Sequence, residues 1–111
     1  MLAPGFSEKF DKQYSERLKQ RVEGLLQSRS TYHHEISPGL KIDFKGGVVV
    51  FEDHHQYNWT NNKKETTSVP EACEIIKQHV WAWLDYCMWP QEERVKTVAG
   101  LESFLEESPS G

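Results

Sequence analysis

The spacing of hydrophobic residues changes along the chain, and each change marks an element. From Ser7 to about Gln27, Phe10, Tyr14, Leu18, Val22, Leu25 and Leu26 recur at intervals of three and four, with Lys, Arg, Glu and Gln filling the rest. That period predicts one amphipathic helix with a narrow buried stripe. Ser7 suits its N-cap, and Glu8 its first turn, where a carboxylate is favoured by the helix dipole. Glu8/Lys12, Asp11/Ser15 and Glu16/Gln20 then line a solvated outer face.

After Ser30 the period falls to two. The runs TYHHEI, LKIDFK and VVVFEDH are rich in β-branched and aromatic residues and are bounded by Ser37-Pro38-Gly39 and Gly46-Gly47, which predicts three antiparallel strands. With Gly46-Gly47 as a two-residue hairpin turn, Lys45 faces Val48, Phe44 faces Val49 and Ile42 faces Phe51. Leu40, Ile42, Phe44, Val49 and Phe51 then form the core face. Lys41, Asp43, Lys45, Val48, Val50 and Glu52 form the other, as in a sheet covered on one side. The polar run WTNNKKETTS fits a loop or a short fourth strand equally well.

Ser68 followed by Glu71 makes a capping box, and Pro70 is tolerated in a first turn, so a second helix starts there. Its apolar face comprises Ala72, Ile76, Val80, Trp83, Leu84 and Cys87, running to about Met88, with Cys73 and His79 at the margins. Pro90 ends it and opens a third helix, PQEERVKTVAGLESFLEE, in which Val95, Val98, Leu101 or Glu102, and Leu105 mark a weaker stripe. The order α-β-β-β-α-α is that of a small α+β domain spanning 1–111. Its antiparallel sheet has three strands, or four if WTNNKKETTS contributes one, and the helices pack on one face. Residues 1–6 and 107–111 are expected to fray.

Composition narrows the function classes. A chain of 111 residues with 37% hydrophobic content supports one core. Seventeen acids against thirteen bases, spread along the chain for a net charge of -4, disfavour a nucleic-acid partner. The start MLAPGFSEKF lacks the basic and apolar regions of a secretion signal, and no apolar run approaches the roughly 20 residues of a membrane span, so a soluble cytoplasmic protein is expected. Cys73 and Cys87 lie fourteen residues apart on one predicted helix, about 21 Å, too far for a disulfide. Both read as small apolar core residues.

The stretch FEDHHQYNWTNN crowds ionisable and aromatic residues together and raises the question of a metal site built from His33, His34, His54 and His55 with Glu52 or Asp53. Strand alternation sends His34 to the core face and His33 to the other, and separates His54 from His55 in the same way. The same-face pair His33 and His54 would lie about 16 Å apart, whereas ligands around zinc meet within about 4 Å. No metal or cofactor is therefore expected. The chain carries no GxSxG, HExxH or glycine-rich phosphate loop, so no catalytic residue is assigned. Asn58-Trp59-Thr60 matches a glycosylation triplet, which has no meaning without secretion.

The feature that points to a partner lies on the second helix. With the core direction near Ile76, Val80 and Trp83, Trp81 and Met88 point more than about 100° away, one heptad apart, on the face of Lys77, Glu74 and Asp85. Exposed Trp and Met together are typical interface anchors. In the competing reading, the first or last helix folds over this face and takes Trp81 into a second core layer. Trp89 fits either, and Val48, Val50, Glu52 and His54 on the open side of the sheet form a secondary surface. The expectation is a non-catalytic module that binds another protein, acting as an inhibitor or adaptor. Its analogues in size and class are immunity proteins and phage antagonists such as anti-CRISPR proteins. A homodimer, and a small metal-binding or hydrolytic enzyme using His33, His34, His54 and His55, are the alternatives.

Overall fold

The computed structural model describes residues 6–56 and 58–106, the first five of these as backbone only. Helix α1 (Phe6–Gln27) leads into strands β1 (Tyr32–Ile36), β2 (Leu40–Lys45), β3 (Val48–Asp53) and β4 (Lys63–Thr66), followed by helices α2 (Val69–Asp85) and α3 (Gln91–Glu106). The fold is α+β, and the sheet is an antiparallel meander in the order β1-β2-β3-β4. The tails expected to fray lie outside the described residues, apart from Phe6, the first residue of α1.

Tyr14, Leu18, Val22, Leu25 and Leu26 of α1 are buried as the helical period requires. The side chain of Phe10 lies outside the described residues. Ser7 falls inside the helix rather than at its N-cap, because α1 already begins at Phe6. At its other end the chain turns through Arg29, whose φ is 55°. The N–H groups of Arg29 and Ser30 donate to the carbonyls of Leu26 and Leu25, both at 3.2 Å, which closes the last turn as a Schellman motif.

The hairpin register follows from its turn. Gly46 and Gly47 take φ values of 57° and 89°, the left-handed pair that a type I′ connection needs, and Lys45 pairs with Val48, Phe44 with Val49 and Ile42 with Phe51. Ile36 pairs with Leu40 and His34 with Ile42. The run left open by the sequence contains a fourth strand: β4 pairs with β3, Val49 opposite Thr66 and Phe51 opposite Lys64, after a turn in which Asn61 and Asn62 also take positive φ. Of its four residues only Thr66 is buried. What holds KKET in the sheet is backbone pairing rather than an apolar pattern.

Ile36, Leu40, Ile42, Phe44, Val49 and Phe51 form the sheet side of the core, and all three helices pack on that side. The opposite face carries ion pairs. Glu52 takes Lys41 and Lys63, each at 3.6 Å, and His33 reaches Asp43 at 2.6 Å and Glu35 at 3.3 Å. Ser68 caps α2, accepting from the Glu71 N–H at 3.3 Å. The buried stripe of α2 is Ala72, Ile75, Ile76, His79, Val80 and Leu84, rotated from the expected one so that Ile75 and His79 enter and Trp83 is only half-buried. The helix stops at Asp85, and Tyr86 turns to extended backbone. Cys87, expected in the core, is therefore exposed, while Cys73 is half-buried against the core.

In α3 the buried residues are Thr97, Leu101 and Phe104. Val95, expected in the stripe, is 57% exposed, and Glu102 instead accepts a 2.7 Å hydrogen bond from the Tyr14 hydroxyl. The stripe is displaced because α3 presses on β1 at Gly100: a Cβ there would stand 3.3 Å from the Ile36 Cα. That close approach is what a residue without a side chain permits.

Candidate functional site

The residues singled out from the sequence do not form one patch. Lys77 reaches back to α1, with Nζ 2.6 Å from Asp11 Oδ1 and 3.4 Å from Ser15 Oγ, so α1 covers this side of α2. Trp81 lies on the same side and is half-buried against the core. Of the two readings left open for Trp81, the second-layer one describes it. Asp85 is partly exposed near the end of α2, while Met88, beyond that end, is 75% exposed. Val48, Val50 and Glu52 sit partly shielded on the ion-paired face of the sheet.

The four histidines are dispersed. His33 binds Asp43 on the open face, and the bonds to Asp43 and Glu35 push its pKa above the ordinary value of 6.5. His34 places Nε2 2.8 Å from the Gly100 carbonyl and packs against Phe104 on the core side. His54 and His55 follow β3 in a turn, so the alternation expected of a continuing strand does not reach them, and both are exposed. Among the described residues no group of three or more His, Cys, Asp and Glu is arranged to hold a metal ion.

The structure instead gathers residues around the C-terminal end of α2. Alternation along β3 sends Asp53 to the core face, opposite Leu40, and the stripe of α2 brings His79 to meet it. Asp53 Oδ2 lies 2.8 Å from His79 Nδ1, and Asp53 Oδ1 accepts from the His55 N–H at 2.9 Å. Burial alone would push the Asp53 carboxyl up, but the hydrogen bonds from His79 and the His55 backbone outweigh it and hold the pKa below 3.8. An ionised Asp53 makes His79 Nδ1 the donor of that bond, which leaves Nε2 as an acceptor in the neutral ring. Nε2 is buried and finds no hydrogen-bond partner among the described residues.

Over this pair stands an aromatic cluster. The Trp83 ring lies 5.0 Å from His55, 5.5 Å from Tyr86 and 4.5 Å from Trp89, measured between centroids. The Trp89 indole N–H donates to Thr97 Oγ1 at 3.4 Å, and Thr97 donates onward to the Glu93 carbonyl. Arg94 ties α3 back to the preceding loop through a 2.9 Å bond to the Tyr86 carbonyl. Around this framework Tyr86 is 50% exposed and Met88 75%, and Val95 stands on the neighbouring turn of α3. A groove of about 360 Å³ runs beside them, with Leu84, Val95 and Val98 among its apolar walls and Arg94 and Glu102 among its polar ones.

No family model, curated protein sequence or solved structure matches the chain. No helix among the described residues is long and apolar enough to cross a membrane.

Of this corner, the sequence reading contained Met88 and Trp89. It missed Tyr86 and Val95 as surface residues and the Asp53–His79 pair. Tyr86 was hidden by carrying α2 on past Asp85 to about Met88, and Val95 by placing it in the apolar stripe of α3. The pair carried one usable signal: a core-face acid in β3 needs a buried partner, and His79 stands beside the apolar stripe of α2.

Proposed function

We propose that the protein is a protein-binding module that acts by occupying a partner's surface with the corner between α2 and α3. The observation that carries this reading is that the large hydrophobic side chains standing exposed among the described residues, Tyr86, Met88 and Val95, fall within ten residues of one another at that corner. Leaving such groups in water forgoes the hydrophobic gain of burial, and clustered exposure of this kind marks interaction surfaces.

The chemistry suits a protein partner. Met88 is flexible and polarisable and adapts to an irregular surface, while Tyr86, braced by Trp83, is an aromatic anchor with a polar tip. The adjoining groove, apolar in its walls with Arg94 and Glu102 at hand, is shaped to receive an aliphatic or aromatic side chain flanked by hydrogen-bonding groups. A net charge of -4 favours a partner whose surface is locally positive, through steering rather than through affinity. By analogy of class, such a module is an inhibitor or adaptor.

The test is a paired affinity purification from source cells with the wild-type protein, the double variant Met88→Asp/Val95→Asp, and Val50→Asp on the open sheet face. All three are first shown to be folded by circular dichroism. The reading predicts one stoichiometric partner retained by wild type and Val50→Asp and lost by the double variant. Retention by the double variant and loss by Val50→Asp would move the interface to the sheet. A particle of twice the monomer mass, dissociated by the double variant, would identify the partner as a second copy.

A further inference from the structure

Between the end of β3 and α2 lies a cavity of about 250 Å³ whose lining includes Asp53, His55, Gln56, His79, Trp83 and Tyr86. Its floor is the buried pair, Asp53 1% and His79 4% exposed. Asp53 engages the Nδ1 edge of the His79 ring, so the opposite edge presents Nε2, buried, unpartnered among the described residues and an acceptor when the ring is neutral. Buried polar atoms in folded proteins are nearly always satisfied, so an acceptor in this position calls for a donor. One water molecule would suffice for the bond, but the cavity has room for much more than one.

We propose that this cavity binds a small flat molecule carrying an O–H or N–H donor, which bonds to His79 Nε2 and lies against the Trp83 ring. Asp53 fixes the tautomer that leaves Nε2 as acceptor. The carboxylate also holds the ring in place, as second-shell carboxylates do for functional histidines. Trp83, Tyr86 and His55 supply the aromatic wall, and Gln56 adds an amide for the polar edge of the ligand. The volume falls just under the range of drug-sized sites, about 300–1,000 Å³, which points to a single-ring ligand. This inference shares Tyr86 with the partner reading, but Met88 and Val95, the residues substituted to test that reading, are not part of the lining.

Phenol is a suitable probe, with anisole as its control, since anisole keeps the ring and loses the O–H. Protein labelled with 15N-histidine and 15N-tryptophan is titrated with each and followed by NMR, reading His79 Nε2 and the Trp83 indole. Phenol is expected to move the Nε2 resonance and to bind about two- to tenfold more tightly than anisole, the factor that one neutral hydrogen bond confers. His79→Phe keeps an aromatic ring and is expected to erase that preference. Should His79→Phe fail to fold, Trp83→Ala at the half-buried rim is expected to weaken both probes together. Met88→Asp is expected to leave phenol binding unchanged. Equal binding of phenol and anisole, an Nε2 resonance unmoved at saturating phenol, or a response of Nε2 to zinc sulfate but not to phenol would overturn the proposal.

Discussion

Separating Asp53 from His79 is the perturbation whose energy the structure constrains best. Both side chains are almost wholly excluded from water, and the 2.8 Å bond between them joins a carboxylate to an imidazole N–H. Asp53→Ala removes that charge-assisted bond, worth about 1.5–3 kcal/mol, and the bond to the His55 N–H, worth about 0.5 kcal/mol because exposed His55 can turn to water. The expected loss is about 2–4 kcal/mol. His79→Ala leaves a buried carboxylate with only the His55 N–H, and breaking a buried pair in this way costs about 3–5 kcal/mol. The double variant no longer loses the shared bond twice, so its cost should fall short of the sum of the singles by about 1.5–3 kcal/mol. Urea unfolding followed by tryptophan fluorescence measures all three, provided the slope stays constant across the set. The Asp53 carboxyl titrates below its ordinary 3.8 in the folded protein, so its stabilisation is complete above that pH and fades as pH falls through the folded value. The coupling should therefore shrink below about pH 3.8. Additivity within about 0.5 kcal/mol at neutral pH would refute the reasoning, since independent sites behave that way.

Three further perturbations test other parts of the fold. Gly24 sits exposed in α1 with nothing near the position of a Cβ, so Gly24→Ala should stabilise the protein by about 0.5–1 kcal/mol, read as a higher urea midpoint. Gly100→Val should do the opposite, losing about 1–3 kcal/mol as its branched side chain meets the Ile36 backbone, and an unchanged midpoint would show that α3 is free to lift from β1. His33, raised by its bonds to Asp43 and Glu35, contributes stability that is full below its unfolded value near 6.5 and is lost as pH rises through the higher folded value. For so exposed a group the change is about 0.2–1 kcal/mol, and Asp43→Asn should flatten the stability profile above pH 6.5; an identical slope in the variant would dissociate His33 from Asp43.

How much of this was legible in the chain depends on whether local chemistry or packing decides each feature. Gly46-Gly47 determined the hairpin register because glycine takes both left-handed positions of the turn at no steric cost, and Ser68 marked the start of α2 through its own side chain. β4 was undecidable because KKET has almost no apolar face, and its pairing depends on β3 being in place. Thr97 and Phe104 escaped the reading of α3. A buried threonine that bonds its own helix carries no hydrophobic signal, and the stripe's phase is set by Gly100 against Ile36. The same limit applies at the site. The exposure of Met88 follows from α2 ending before it, and the covering of Trp81 could not be read because no periodicity within α2 reports that α1 lies across Lys77. The Asp53–His79 contact joins residues 26 apart and appears only once the sheet and α2 meet.

The claim that the α2–α3 corner is the working surface is tested most directly by hydrogen–deuterium exchange, with and without the partner recovered by the wild-type protein. The account predicts added protection concentrated between Trp83 and Val95, with the strands of the open sheet face unchanged. Protection confined to β1–β4, with the corner exchanging as it does in the free protein, would contradict it.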